Sequence, residues 1–272
     1  MMQRSTDFFK KKDTTGCSFP ANSLSMQFIG IIPARYHSRR FPGKPLAMIR
    51  GKSMIQRVYE QSGKCSALNE LVVATDDQRI YDHVTAFGKA VMTDRNHPSG
   101  TDRCLEAFYR INTDNTYSDN DGVINIQGDE PFVDPEQIDQ VIHQLKKPNK
   151  NIVTLVKKID REDNLRNPNV VKVVFTASGR ALYFSRLPIP YVGGTGAMKE
   201  TGEPATHYRH LGLYGFRAGT LQQIVSLPVG ALEDAEKLEQ LRWLQQDFEI
   251  YVEETYVESI AIDTPEDLEK VL

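Results

Sequence analysis

Short apolar runs alternate along this chain with segments whose apolar positions recur every three and four residues. Phe28–Ile32 (FIGII) is apolar, rich in branched side chains and followed by Pro33, which predicts a buried parallel strand ending there rather than a helix. The same pattern places strands at Glu70–Thr75, Ala90–Met92 and Gly122–Gln127. Between them, Ser53–Ser62, Gln78–Phe87 and Thr101–Ile111 are helical in period. Pro135–Leu145 is a further helix, with Asp134 placed to cap it and Pro135 in its first turn. Strand and helix alternate throughout this half, which predicts an α/β fold built on a doubly wound, mainly parallel, Rossmann-like sheet.

From Ile152 the texture changes. Ile152–Lys158, Val170–Phe175 and Ala181–Phe184 are strand-like but separated by turn residues instead of helices, so they predict antiparallel additions to the sheet, an insertion of the kind that commonly holds a second substrate. Val192–Pro204 is glycine-rich and without period, which predicts a mobile loop. Leu211–Phe216 reads as a strand and Glu233–Gln246 as a helix carrying Leu238, Leu241 and Leu244. Ile260–Ile262 reads as a last strand before a helix starting at Pro265. No repeat or linker divides residues 28–272, which predicts a single domain. Residues 1–27 are polar and unpatterned and read as a disordered leader, with Met26 a candidate start.

Composition narrows the function classes. The chain has 272 residues, 40% hydrophobic and 25% charged, ordinary values for a soluble globular protein. A formal net charge of −3 gives no general attraction to nucleic acid or to an anionic membrane. The three cysteines, Cys17, Cys65 and Cys104, are widely spaced with no CxxC pair, which argues against a disulfide framework or a cysteine zinc site and fits a reducing cytoplasm. No run approaches the ~18 apolar residues of a membrane helix.

The strongest chemical signal follows the first strand. Arg35, Arg39, Arg40 and Lys44 fall within ten residues at a strand end, where open α/β sheets bind ligands. Pro33, Pro42, Gly43 and Pro45 exclude a helix there and are expected to leave main-chain N–H groups open, so a polyphosphate would receive both charge and hydrogen bonds. Other motifs fail on context. Gly51-Lys52-Ser53 lacks the first glycine of a phosphate-binding P-loop, Asp119-Asn120-Asp121 precedes its strand and lies at the wrong edge, and His207 and His210 have no further zinc ligands nearby.

Two carboxylates complete the pattern. Asp129 sits just past the strand ending at Gln127, on the edge of the basic loop, and a carboxylate facing a polyphosphate needs a metal between them; Mg2+ suits this. Asp263 precedes a helix already capped by Thr264, with Pro265 and Asp267 in its first turn, so its side chain is free for another partner. The plain alternatives are a turn residue for Asp129 and a local helix contact for Asp263. A metal-bridged polyphosphate gripped by Arg35, Arg40 and Lys44 suits nucleotidyl transfer.

Several linked motifs carry a family resemblance. Ile32-Pro33-Ala34-Arg35, Arg40-Phe41-Pro42-Gly43-Lys44-Pro45-Leu46, Ala74-Thr75-Asp76, Ser99-Gly100-Thr101-Asp102-Arg103, Gln127-Gly128-Asp129-Glu130-Pro131, Asn167-Pro168-Asn169, Tyr183-Phe184-Ser185-Arg186, Arg209-His210-Leu211-Gly212 and Asp263-Thr264-Pro265 closely resemble the 3-deoxy-manno-octulosonate (Kdo) cytidylyltransferases. The resemblance implies that CTP and Kdo yield CMP-Kdo and pyrophosphate, with Mg2+, in the cytoplasm, for lipopolysaccharide synthesis by a homodimer. It implies that Arg35, Arg40 and Lys44 hold the CTP phosphates beside Ala34, that Ala74, Ser99, Gly100 and Arg103 border the cytidine, and that Asp129 and Asp263 bind metal. Gln127, Arg186, His210, Tyr214, Glu239 and Gln240 match positions lining the Kdo pocket, with residues 152–217 supplying the sugar-binding and dimerisation region. Salt bridging by Arg186 and Glu239, and core packing by Tyr214, stand beside those roles. Arg39 occupies a position where the family has a small or polar residue and is not counted as a ligand. Sialic-acid cytidylyltransferases share the basic loop but typically carry Gln-Pro-Thr-Ser near the position of Gln127, where this chain has Gln127-Gly128-Asp129-Glu130-Pro131.

Overall fold

The computed structural model describes residues 26–37, 40–160, 162–192, 206–258 and 260–272. The expectations for residues 1–25 of the leader, for Arg39 and for most of the Val192–Pro204 loop therefore lie outside the described residues. Gln27, placed in the leader by its polarity, belongs to the fold: its N–H donates to Asp121 Oδ1 at 2.7 Å.

The first half runs β1 (Phe28–Ala34), β2 (Met48–Ile49), β3 (Lys52–Ser53), α1 (Met54–Ser62), β4 (Glu70–Thr75), α2 (Gln78–Thr85), β5 (Ala90–Met92), α3 (Gly100–Ile111), β6 (Gly122–Asn125) and α4 (Pro135–Leu145). The second half runs β7 (Ile152–Lys158), α5 (Glu162–Arg166), β8 (Lys172–Phe175), β9 (Ala181–Ser185), β10 (Tyr208–Arg217), α6 (Ala218–Val225), α7 (Ala231–Glu236), α8 (Gln240–Gln245), β11 (Tyr251–Glu254) and α9 (Pro265–Glu269). The main sheet has the order β11-β7-β10-β6-β1-β4-β5, with β8 paired to β10 and β9 to β8. β1, β4, β5 and β6 are parallel, and β10 opposes both β6 and β7. β7 thus runs with the first-half strands and pairs parallel with β11, so the expected reversal is carried by β10 and the β8–β9 hairpin rather than by Ile152–Lys158.

Alternation along β1 builds two core layers. Ile29 and Ile31 face a cluster containing Cys104 and Phe108 of α3 and Trp243 of α8, while Phe28 and Ile32 face Ile55 and Val58 of α1 and Ile138 and Val141 of α4. Helices therefore cover both faces, as a doubly wound sheet requires. No helix among the described residues is long and apolar enough to cross a membrane.

Several expected boundaries move. β1 does not stop at Pro33 but continues to Ala34 along β4. Ile126 N–H reaches Ile31 O, and the β6 ladder ends there, so by the alternation of a parallel strand the missing N–H of Pro33 points to a side already unpaired. A short helix, α5, lies between β7 and β8 where only turns were expected. The helix expected over Glu233–Gln246 is two, α7 and α8, separated at Lys237, whose φ of 53° is left-handed. Ile260–Ile262 is not a strand; it is tied to the neighbouring loop by Ile262 N–H to Asp129 O at 2.9 Å. α6 and β11 were not expected. The first carries only a brief apolar period, and the second is an edge strand half made of glutamates.

Candidate active site

The C-terminal ends of β1, β4, β5 and β6 lie on one edge of the sheet, and the segments leaving β1, β5 and β6 line a single cleft of about 260 Å3. Its walls include Ala34, Arg35, Arg40 and Lys44 after β1, Ser99, Gly100 and Arg103 at the start of α3, Gln127 and Asp129 after β6, and Asp263. Gly128 lets the β6 loop pass close to β1: a Cβ there would sit 2.7 Å from Pro33 O.

The basic loop is held by its own fold. Gly43, at φ 72°, donates its N–H to Tyr36 O at 2.9 Å, and the Arg79 guanidinium lies 3.4 Å over the Tyr36 ring while paired with Asp77. The N–H groups of Gly43, Lys44, Leu46 and Ala47 are all bonded to carbonyls within this loop. The expectation of open main-chain donors is thus corrected at these four positions, where the turn spends the N–H groups on its own closure.

Lys44 is the centre of the cleft. Its ammonium lies 2.7 Å from Asp129 Oδ2 and 3.3 Å from Asp263 Oδ1, and Arg40 adds a second cation 3.2 Å from Asp263 Oδ1. Asp263 reaches this point because Ile262, fully buried against Ile49 and Met54, is tied by its N–H to Asp129 O. Thr264 and Asp267 close the α9 capping box without the Asp263 side chain, which removes the capping alternative for it. Two carboxylates from distant segments thus converge on one positive charge. That donor set fits Mg2+, which is typically held by one or two carboxylates plus phosphate oxygens; among the described residues no group of three or more His, Cys, Asp or Glu side chains gathers to hold a metal by itself.

The other expected residues divide. Arg103 is nearly buried, 2.6 Å from Thr93 Oγ1 and 3.3 Å from Asp76 Oδ1, so its guanidinium is fixed at the cleft wall. Ala74 is fully buried in the core and contributes no surface to the cleft. Gln127 spans to the second half, its Nε2 donating to Gly212 O at 2.7 Å.

Arg186, His210, Tyr214, Glu239 and Gln240 do not line that cleft. They lie in the second half behind its α3 wall, where Glu239 sits 2.9 Å from Ser99 Oγ and 2.8 Å from Thr101 Oγ1. Burial raises the Glu239 pKa against those two hydroxyl bonds. A register shift in β10 between Leu211 and Tyr214 brings the His210 and Tyr214 rings to 5.2 Å, although residues four apart in a regular strand stand about 13 Å apart. Thr154 Oγ1 fills that irregularity, 2.9 Å from Leu211 O and Leu213 O and 3.2 Å from His210 Nε2. His210 is pushed down to about 3 by burial and is neutral at working pH. The Tyr214 hydroxyl and Asn125 Oδ1 are buried with no hydrogen-bond partner among the described residues. Sequence reasoning did not single out His97, Pro98 or Thr93. The first two border the cleft in the turn just before Ser99, so extending that motif by two residues would have found them.

Comparisons with known proteins agree with this architecture. The cytidylyltransferase family model matches residues 29–260. A 3-deoxy-manno-octulosonate cytidylyltransferase of Parabacteroides distasonis is 52% identical over 252 residues, covering 91% of this chain and 97% of that protein. One from Cytophaga hutchinsonii is 47% identical over 250 residues, covering 92% and 98%. Among solved structures, a CMP:2-keto-3-deoxy-manno-octonic acid synthetase complexed with CTP superposes with a TM-score of 0.80 at 40% identity, covering 90% of this chain and 96% of the other. A 4-diphosphocytidyl-2C-methyl-D-erythritol synthase, 13% identical with a TM-score of 0.60, shares the fold.

Proposed function

The chain belongs to the 3-deoxy-manno-octulosonate cytidylyltransferases, and from that membership we propose that it couples CTP to Kdo, releasing pyrophosphate and CMP-Kdo for lipopolysaccharide synthesis in the cytoplasm. The observation that carries this reading is the meeting of Asp129 and Asp263 at Lys44, beside Arg40, in a cleft at the carboxyl edge of the parallel strands. Arg35, Arg40 and Lys44 hold the triphosphate, and Asp129 and Asp263 hold Mg2+. When bound, Mg2+ supplies charge neutralisation at the phosphates. Lys44 then trades its carboxylate partners for phosphate oxygens and stabilises the charge growing on the leaving pyrophosphate. The anomeric oxygen of the sugar forms the new bond to the α-phosphorus as the bond to pyrophosphate breaks. Ser99, Gly100 and Arg103 border the cytidine, with Ala34 beside the phosphates and Ala74 supporting the base from beneath.

Kdo lies across Gln127 towards Arg186, His210, Tyr214, Glu239 and Gln240. Arg186 pairs with the sugar carboxylate, a geometry the planar guanidinium favours. The buried Tyr214 hydroxyl supports this reading, since a polar atom left without a partner is ready for a ligand hydroxyl. Residues 28–272 act as one domain, and residues 152–217 also carry the contact with a second copy. Leu182, Leu187 and Tyr191 are 52%, 70% and 90% exposed there, apolar side chains that a homodimer contact would cover.

Pyrophosphate release measured with CTP or UTP against Kdo, its 8-amino analogue and sialic acid tests the assignment. Release confined to CTP with a Kdo-type sugar is expected. CTP binding without release for any acid sugar would instead indicate a nucleotide-sensing module.

A further inference from the structure

Lys172 in β8 is fully buried, and its ammonium has no carboxylate within salt-bridge distance among the described residues. It donates instead to three main-chain carbonyls: Val170 O at 2.6 Å, Asn167 O at 3.0 Å and Arg186 O. An ammonium has three N–H donors, so the count matches only the charged form. Burying an unpaired charge is costly, and a strand position facing the core ordinarily takes an apolar residue. Burial and the neighbouring Arg186 push the Lys172 pKa down, the nearby Glu236 carboxylate pushes it up, and the three carbonyls are the direct hydrogen-bond partners the charge receives.

Those carbonyls are not scattered. Two belong to the turn Asn167–Val170, and Pro168 O of the same turn accepts from Arg186 Nη1 at 3.0 Å. The Arg186 guanidinium is held further by Glu236 O at Nε, 2.7 Å, and by Lys237 O at Nη2, 3.2 Å, while its main-chain N–H donates to Glu236 Oε2 at 2.9 Å. The network is closed: Lys172 grips the turn and the Arg186 main chain, and the turn grips the Arg186 side chain. It joins two motifs, Asn167-Pro168-Asn169 and Tyr183-Phe184-Ser185-Arg186, that are separate in sequence. The Glu236–Glu239 segment that holds Arg186 also touches the cleft wall, through Glu239 and Ser99.

We propose that Lys172 is a positioning residue for the acid sugar, fixing the Asn167–Val170 turn against the Arg186 main chain so that the guanidinium presents its remaining N–H donors in one orientation. This rests on the assignment of Arg186 to the sugar carboxylate. Lys172 touches no substrate; it removes from Arg186 the freedom that binding would otherwise have to freeze.

The test is steady-state pyrophosphate release by full-length Lys172→Met, Arg186→Ala and the double variant, with Kdo varied at saturating CTP and the converse. Lys172→Met is expected to raise the KM for Kdo about tenfold and leave that for CTP within about twofold. In the Arg186→Ala background the same change is expected to add nothing, because both act on one contact. Lys172→Arg, which keeps the charge, is expected to fall between Met and wild type. Equal rises in both KM values, or additive losses in the double variant, would overturn the proposal and leave Lys172 a general structural role, as would failure of both Lys172 variants to fold. If Arg186→Ala itself leaves the Kdo KM unchanged, the assignment of Arg186 is what fails, and the proposal falls with it.

Discussion

The two ends of the site are built from opposite materials. At the end proposed for the phosphates, Arg40 and Asp263 are 58% and 37% exposed while Lys44 and Asp129 are 13% and 29% exposed, so the ion pairs line the cleft partly open to water and are already satisfied by one another. At the end proposed for the sugar, His210 is neutral by burial, Glu239 is pressed towards its protonated form, and the Tyr214 hydroxyl and Asn125 Oδ1 are enclosed with no hydrogen-bond partner among the described residues. Exposed ion pairs exchange partners at little cost because solvent already screens them, which suits a triphosphate that must arrive and leave as pyrophosphate. Buried polar atoms cannot exchange with water, so they discriminate by leaving a wrong ligand's groups, or their own, unpaired. On the proposed assignment, the difference divides charge recognition and hydroxyl recognition between the parallel half and the β10 region.

The division can be broken most forcefully at the carboxylates. Asp129→Asn should keep the fold, since Asp129 is partly exposed, yet lower Mg2+-dependent pyrophosphate release by roughly three orders of magnitude. The check is the rate at saturating CTP and Kdo with melting behaviour unchanged. Tyr214→Phe should raise the KM for Kdo by about thirtyfold while leaving thermal stability equal or slightly higher, because it removes a buried hydroxyl that has no hydrogen-bond partner among the described residues. A clear loss of stability would mean that the hydroxyl is bonded within the core. Arg40→Ala should raise the KM for CTP about tenfold and that for Kdo little, as expected of a single exposed cation. The reverse pattern would put the basic loop on the sugar side.

The smallest effect is one of pH on stability. Burial holds the folded-state pKa of His210 at about 3, below the ~6.5 of an unfolded histidine, so the unfolded chain takes up the proton first. The stability this group allows is therefore fully present above pH ~6.5 and falls as the pH drops, by up to about 1.4 kcal/mol per pH unit over this window. Denaturant melts of wild type and His210→Phe between pH 7 and pH 4 should differ by that slope; parallel curves would show that His210 does not titrate on unfolding.

How much of this was legible in sequence follows the same division. β4, β5, α4 and β7 lie at the expected residues because their apolar periods are complete within a few turns and their caps, such as Asp134 with Gln137, are local. The phosphate loop was legible because its cations are neighbours in the chain. The meeting of Asp263 with Asp129 depends on one tertiary hydrogen bond, Ile262 N–H to Asp129 O, and the strand expected at Ile260–Ile262 dissolved because no neighbouring strand was there to pair it. The β10 irregularity that brings His210 to Tyr214, and the left-handed Lys237 that splits the expected helix and leaves Glu239 against Ser99, have no periodic signature. Family resemblance named the sugar-end residues; periodicity could not.

The most direct test of the central claim is enzyme-bound Mn2+, followed by electron paramagnetic resonance in the presence of CTP, for wild type, Asp129→Asn and Asp263→Asn. If both carboxylates hold the divalent ion with the nucleotide, wild type binds the Mn2+·CTP pair and each variant weakens that binding by at least about tenfold. Wild-type binding in either variant would contradict it.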